Sequence, residues 1–223
     1  MKLIQCKEIA MSWLVKTLST SVGKKLVMAV TGLFFCCFLV VHLLGNLTLY
    51  KGMETFNGYV DHLHALGPLI RVAEVLMLVF ALVHVTTGLM LTYQNYMSRP
   101  VKYQMNKSGG GRTLGSATMP YTGIVLIFFV IAHLLGFHFA DHETQTVYDI
   151  VSHAFSDPVV VGYYVVAMLV VAVHVSHGFW SAFQSLGVNH EKYNPAIKAL
   201  ALVFSLVVGA GFGLIPVYMS LFI

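Results

Sequence analysis

Five long stretches without Asp, Glu, Lys or Arg constrain this chain more than any other feature. Residues 26–50, 75–98, 113–140, 158–190 and 199–223 give 25, 24, 28, 33 and 25 residues in a row with no formal charge. A helix crossing the hydrocarbon core of a bilayer needs about 20 mostly apolar residues, so each stretch has room for one crossing. The reading is an all-α integral membrane protein with five transmembrane helices, I to V, at roughly 26–50, 70–97, 120–140, 158–186 and 195–222. The whole of 1–223 is read as a single membrane domain. Composition agrees: 10% of residues are charged, against roughly 25% in soluble domains. Runs of this length exclude a soluble protein with buried helices.

Orientation follows from the basic residues that flank the spans. Lys2, Lys7, Lys16, Lys24 and Lys25 precede helix I, while Arg99, Lys102, Lys107 and Arg112 lie between II and III. Lys192 and Lys198 lie between IV and V, which places eleven of the thirteen basic residues on one side. The other side has Lys51 and Arg71, and its III–IV connection carries Asp141, Glu143, Asp149 and Asp157. The N-terminus is therefore expected in the cytoplasm and the C-terminus outside, in the cytoplasmic (inner) membrane. The net charge of +4 follows from this asymmetry and implies no nucleic acid. Residues 1–25 lack the apolar core and small-residue cleavage pattern of a signal peptide.

Cysteine and glycine motifs exclude several classes. Cys36 and Cys37 are neighbours in helix I and point about 100° apart, so they form neither a metal pair nor a structural disulfide. The chain has no C-x-x-C-H for covalent haem, no cysteine set for an iron–sulfur cluster, and no nucleotide-binding glycine fingerprint. "SGGGR" at 108–112 follows no strand and reads as a connector.

An internal repeat is more informative. Helix I contains "TGLFFCCFLVVHLLG" from Thr31 and helix III contains "TGIVLIFFVIAHLLG" from Thr122; in both, nine residues separate Thr-Gly from His-Leu-Leu-Gly. Helix II contains "VHVTTG" from Val83 and helix IV "VHVSHG" from Val173, each with glycine four residues after histidine. The intervals His42–His84 and His133–His174 are 42 and 41 residues. The chain reads as a duplicated two-helix unit, I–II and III–IV, followed by an unpaired helix V.

The repeat puts four histidines inside membrane spans, where ionisable groups are costly and face the bundle for a functional reason. Neutral imidazole is the form that ligates metal, and haem iron takes one such ligand on each face. At a rise of about 1.5 Å per residue, His42 and His133 lie near the outer ends of I and III. His84 and His174 lie further inward. Two stacked bis-histidine b haems fit this split better than one zinc site, which would need all four at one depth. Gly88 and Gly178, one turn inward from His84 and His174, would let a macrocycle approach the backbone.

With these motifs in view, the chain resembles the five-helix, di-haem cytochrome b membrane anchor of succinate:menaquinone and menaquinol:fumarate oxidoreductases. The resemblance rests on T-G-x9-H in helices I and III, on "HVSHGFWSAFQSLG" at 174–187 and on "FNGYVDHLHALGPLIRVAE" at 56–74, and it covers essentially the whole chain. It implies His42 and His133 as ligands of the distal haem, and His84 and His174 as ligands of the proximal one. It implies menaquinone or menaquinol as redox partner, and a flavoprotein (FAD) subunit and an iron–sulfur subunit docked on the cytoplasmic side. No dicarboxylate site is expected in this chain, whose part would be electron transfer and quinone turnover. Two positions depart from the family. Ala172 stands where some members carry a glutamate associated with proton conduction, and Ser185 where some carry a lysine that meets a haem propionate. Lys24, Lys25, Lys192 and Arg112 are the alternative propionate partners.

His177 aligns with Thr87 in the repeat and reads as a packing or supporting residue rather than a ligand. Glu74, near the outer end of helix II with His62, His64 and Arg71, is the candidate for proton exchange with a quinone; an i,i+3 pair with Arg71 is the competing role. His138, His142, His153 and His190 read as solvated. Two other classes stay open: the di-haem anchor of a hydrogenase or formate dehydrogenase, and a haem-free transporter, whose broken midplane helices are not evident in I to IV.

Overall fold

The structure is a computed structural model that describes residues 13, 15–98 and 113–223. Lys2, Cys6, Lys7, Arg99, Lys102, Lys107, Arg112 and the 108–112 connector lie outside the described residues. Every described element is helical, and five helices are long and apolar enough to cross a membrane. The chain is an all-α, multi-pass integral membrane protein. In lipid every backbone polar group must be paired within the chain, which is why such apolar segments are helical.

The first crossing is α1 (Ser21–Asn46), prolonged by a 3-10 turn at Leu47–Lys51. It begins five residues before the expected start because Thr20 caps it, its hydroxyl accepting from Gly23 N–H at 3.0 Å. Lys24 and Lys25 therefore sit in its first turns. After it comes α2 (Met53–Ala65), and then α3 (Pro68–Met97) is the second crossing. Gly67 joins them at φ 53°, a conformation that favours glycine, and Pro68 opens α3 at its first turn. The third crossing, α4 (Leu114–His133), starts six residues before the expected boundary at Pro120. A reciprocal capping box between Thr113 and Ser116 sets that start and leaves Pro120 inside the helix. A π turn, Leu134–His138, ends this span. After α5 (Val147–Phe155) come α6 (Pro158–Ser185) and α7 (Asn194–Phe222), within one residue of expectation. At the end of α6, Gly187 (φ 86°) and Val188 donate to the carbonyls of Gln184 and Phe183 at 3.1 and 2.9 Å, closing a Schellman turn.

Helices α2 and α5 fall where the charge pattern predicts only connecting loops. Both lie at the end of the bundle that carries Asp141, Glu143, Asp149 and Asp157, called here the acidic end; Lys24, Lys25, Lys192 and Lys198 mark the basic end. In α5 a Thr146–Asp149 capping box starts the helix, and Tyr148, Ile150, Val151 and Phe155 form its buried face. Three of them, Tyr148, Val151 and Phe155, pack with Leu43, Leu49 and Phe56 in one core cluster, while Tyr148 N–H donates to Asn57 Oδ1 of α2 at 3.2 Å. Asp141 accepts from Glu143 N–H and the Thr144 hydroxyl at 2.9 and 2.8 Å, which holds its carboxyl below the usual carboxylate range.

Helix α6 is the hub, packed against α1, α4 and most extensively α7. Its approach to α7 relies on small residues: a Cβ on Gly209 would lie 2.8 Å from Ala172 Cβ. By contrast α3 rests mainly on α1 and has no fully buried residue, as expected of a crossing that faces lipid along much of its length.

Candidate functional site

The four repeat histidines converge on the interior as two pairs. Near the acidic end the rings of His42 (α1) and His133 (α4) face each other with centroids 5.9 Å apart and planes at 85°. Nearer the basic end lie His84 (α3) and His174 (α6), each turned toward a threonine of a neighbouring crossing.

Each ring has a polar side-chain neighbour at Nδ1. His84 Nδ1 lies 2.9 Å from Thr31 Oγ1, and His174 Nδ1 lies 3.0 Å from Thr122 Oγ1. At the acidic end Tyr164 Oη is 3.4 Å from His133 Nδ1, and Asn46 Nδ2 is 3.4 Å from His42 Nδ1. No Nε2 of the four makes a hydrogen bond among the described residues, so in each case the nitrogen left over is the one remote from the backbone.

The basic-end geometry explains the repeat. The threonine of each Thr-Gly reaches the histidine of the next crossing in its own unit, and the adjacent glycine makes room for that ring. A Cβ on Gly32 would stand 3.6 Å from His84 Cε1, and one on Gly123 would stand 3.7 Å from His174 Cε1. The sequence pattern displays Thr31, Gly32, Thr122 and Gly123 without assigning them a task; their constant distance from the histidines is the available signal. Met28 and Met119, each three residues before the threonine, complete the match. Their methyl carbons lie 3.5 and 3.8 Å from where a Cβ of Gly88 and Gly178 would be. Gly88 and Gly178 thus lie beside the ends of these two methionines, at ordinary van der Waals distance.

Other candidates stand apart from the pairs. Glu74 accepts from Arg71 Nη1 at 2.9 Å in an exposed i,i+3 pair and lines neither cavity found at the two ends of the bundle. His177 packs its Cβ against Gly115, with Nδ1 3.4 Å from Thr113 Oγ1 and its ring edge-on to Trp180. That is a helix-packing position. At the basic end Lys24 Nζ donates to Gln94 Oε1 at 3.1 Å and, with Lys25, Ser21 and Asn95, lines a cavity of about 380 Å³. At the acidic end Tyr59 of α2 packs its ring onto Gly45, and burial pushes its phenol up from its ordinary range.

The donor set fits b haem better than a multidentate metal site. Among the described residues no three His, Cys, Asp or Glu side chains are placed to share an ion. Histidine pairs are the ligand set that a bis-histidine b haem would take, and the residues present supply two such pairs.

Comparison with known proteins agrees with this chemistry. The chain is 25% identical over 152 residues to the succinate dehydrogenase cytochrome b558 subunit of Bacillus subtilis (strain 168), covering 68% of this chain and 72% of that one. No family model matches the chain, and no solved structure matches it.

Proposed function

We propose that the chain is the membrane anchor and cytochrome b subunit of a succinate dehydrogenase or fumarate reductase complex. In this reading the basic end faces the cytoplasm, the N-terminus is cytoplasmic and the C-terminus is outside. His84 and His174 hold the proximal haem b, and His42 and His133 hold the distal one. The paired imidazoles, with His84 and His174 tethered at Nδ1 and the Nε2 of all four without a partner among the described residues, are the observation that carries this reading. The similarity to a succinate dehydrogenase cytochrome b subunit supports the choice of complex over other di-haem anchors.

When bound, the haems supply one-electron redox chemistry between the two faces of the membrane. The chain's residues do the rest. The histidines set ligand strength and, with the apolar walls around them, the redox potentials. Lys24, Lys25, Lys192 and Lys198 give the cytoplasmic face a positive potential suited to docking an iron–sulfur subunit, itself paired with an FAD flavoprotein. Lys24, Lys25, Lys192 and Arg112 are the proposed propionate partners. At the outer end menaquinone or menaquinol exchanges protons with the exterior, with Glu74, held by Arg71, as the exchanging group. With Ala172 in place of a carboxylate, a membrane-crossing proton path through that position is not part of this mechanism.

The test is purification of the tagged chain from membranes under mild detergent. Expected are two haems per chain by pyridine haemochrome, a dithionite-reduced b-type spectrum, and co-purifying flavoprotein and iron–sulfur subunits with succinate:menaquinone activity. A colourless chain from haem-replete cells overturns the reading.

A further inference from the structure

We infer that Thr31 and Thr122 are positioning residues that hold His84 and His174 in the tautomer with the proton on Nδ1, presenting a bare Nε2 to the bundle interior. The inference deepens the haem reading above and rests on it.

The assignment follows from counting protons. Thr31 Oγ1 lies 2.8 Å from the Val27 carbonyl and 2.9 Å from His84 Nδ1. A carbonyl cannot donate, so the one hydroxyl hydrogen of Thr31 is committed to it, and the hydroxyl lone pair must accept from Nδ1–H. Thr122 repeats the arrangement: its hydroxyl lies 3.1 Å from the carbonyls of Thr118 and Met119, and 3.0 Å from His174 Nδ1. A neutral imidazole carrying its proton on Nδ1 has its lone pair on Nε2, the form that ligates iron.

Burial strengthens the constraint. Thr31 and Thr122 are 3% and 8% exposed, and Ser205 is the other buried polar side chain among the described residues. Water therefore does not compete for either hydroxyl. His42 lacks the device, because Asn46 Nδ2 is itself a donor, held to the His42 carbonyl at 2.8 Å, and so cannot accept from His42 Nδ1; at His133 the Tyr164 hydroxyl stands 3.4 Å away, beyond the usual hydrogen-bond range. A hydrogen bond accepted from Nδ1–H makes the ligand more basic and favours the oxidised metal. Removing it should move the midpoint of the proximal haem, and of that haem alone, to more positive potential.

The experiment is a redox titration, with visible and EPR detection, of the whole complex carrying Thr31→Val, Thr122→Val, both together, or the corresponding serine variants. Expected is retention of the distal haem, a positive shift of the proximal midpoint in each valine variant, a larger shift in the double variant, and recovery with serine. Loss of the proximal haem alone also counts in favour. An unchanged proximal midpoint in the double valine variant overturns the inference. Histidine ¹⁵N spectra of the haem-depleted chain read the tautomer directly. Nδ1–H on His84 and His174 in the wild type, lost in the valine variants, supports it; Nε2–H in the wild type overturns it. If the wild type binds no haem, the functional reading fails while these spectra still decide the hydrogen bond.

Discussion

Near the basic end, His84 and His174 meet buried threonines on α1 and α4 at 2.9 and 3.0 Å. At the acidic end, His42 and His133 have Nδ1 contacts of 3.4 Å and are surrounded by aromatic rings instead. His42 stacks on Phe38 at 5.1 Å and lies 5.4 Å from Phe212; His133 stacks on Phe129 at 5.8 Å and lies 5.3 Å from Phe137. The backbone differs as well. Both helices carry the letters HLLG, yet α1 continues through them and tightens into a 3-10 turn at Leu47, whereas α4 widens into a π turn directly after His133. A duplicated sequence has thus produced two symmetric tethers at one end and two unlike terminations at the other. Specific hydrogen bonds fix the proximal pair. The distal pair is held by packing, which tolerates rearrangement, at the end where quinone is proposed to react.

Removing ligands gives the largest expected effect. His84→Ala and His174→Ala should each abolish one and the same spectral component, and His42→Ala and His133→Ala the other, each leaving about half the haem by pyridine haemochrome, since an axial ligand is lost from one iron only. Loss organised by hairpin instead, with His42 grouping with His84, would break the division into two ends. In these variants the surviving component should keep its midpoint more closely when the proximal pair is the one left intact, because its tethers do not depend on the distal haem.

Next in size is a contrast between two glycines of α4 and its π turn. A Cβ on Gly115 would come within 2.7 Å of His177 Cβ, an atom fixed close to the α6 backbone. Gly115→Ala should therefore force α4 and α6 apart and cost about 1–3 kcal/mol, the usual penalty of overpacking. A Cβ on Gly136 would meet nothing within 4 Å, so Gly136→Ala should leave thermal stability in detergent within roughly 0.5 kcal/mol of wild type. The first variant should also disturb the His174 haem spectrally and the second neither haem. Equal melting temperatures for the two would show that the basic end is not the tighter one.

Much of this division was legible in the residues. Charge-free runs located the five crossings, because hydrocarbon excludes charge over a fixed thickness. The repeat singled out the four histidines, because histidine is conspicuous where nearly everything else is apolar. The threonines were visible but silent. Threonine inside an apolar helix normally bonds its own i−4 carbonyl, and nothing local tells that its second lone pair meets a side chain some fifty positions away. Gly88 and Gly178 are silent for the same reason: a missing side chain shows that something approaches, and the structure adds that Met28 and Met119 lie beside them. Helices α2 and α5 escaped notice because they are shorter than a crossing, although the Thr146–Asp149 capping box marked the start of α5.

The smallest effect tests the distal end itself. Tyr164 is half-buried between Phe129, Phe137 and Phe155, and its hydroxyl is the polar group nearest His133 Nδ1. At 3.4 Å the contact is longer than the roughly 2.7–3.2 Å of an ordinary hydrogen bond, so it should add little to the basicity of that ligand. Tyr164→Phe keeps the ring and removes only the hydroxyl, which leaves the aromatic packing to hold the imidazole. The distal midpoint in this variant should shift by less than the proximal midpoint does in Thr31→Val, with both haems retained and quinone reduction unchanged. A distal shift as large as the proximal one would mean that hydrogen bonding governs both ends alike, and that packing is not what separates them.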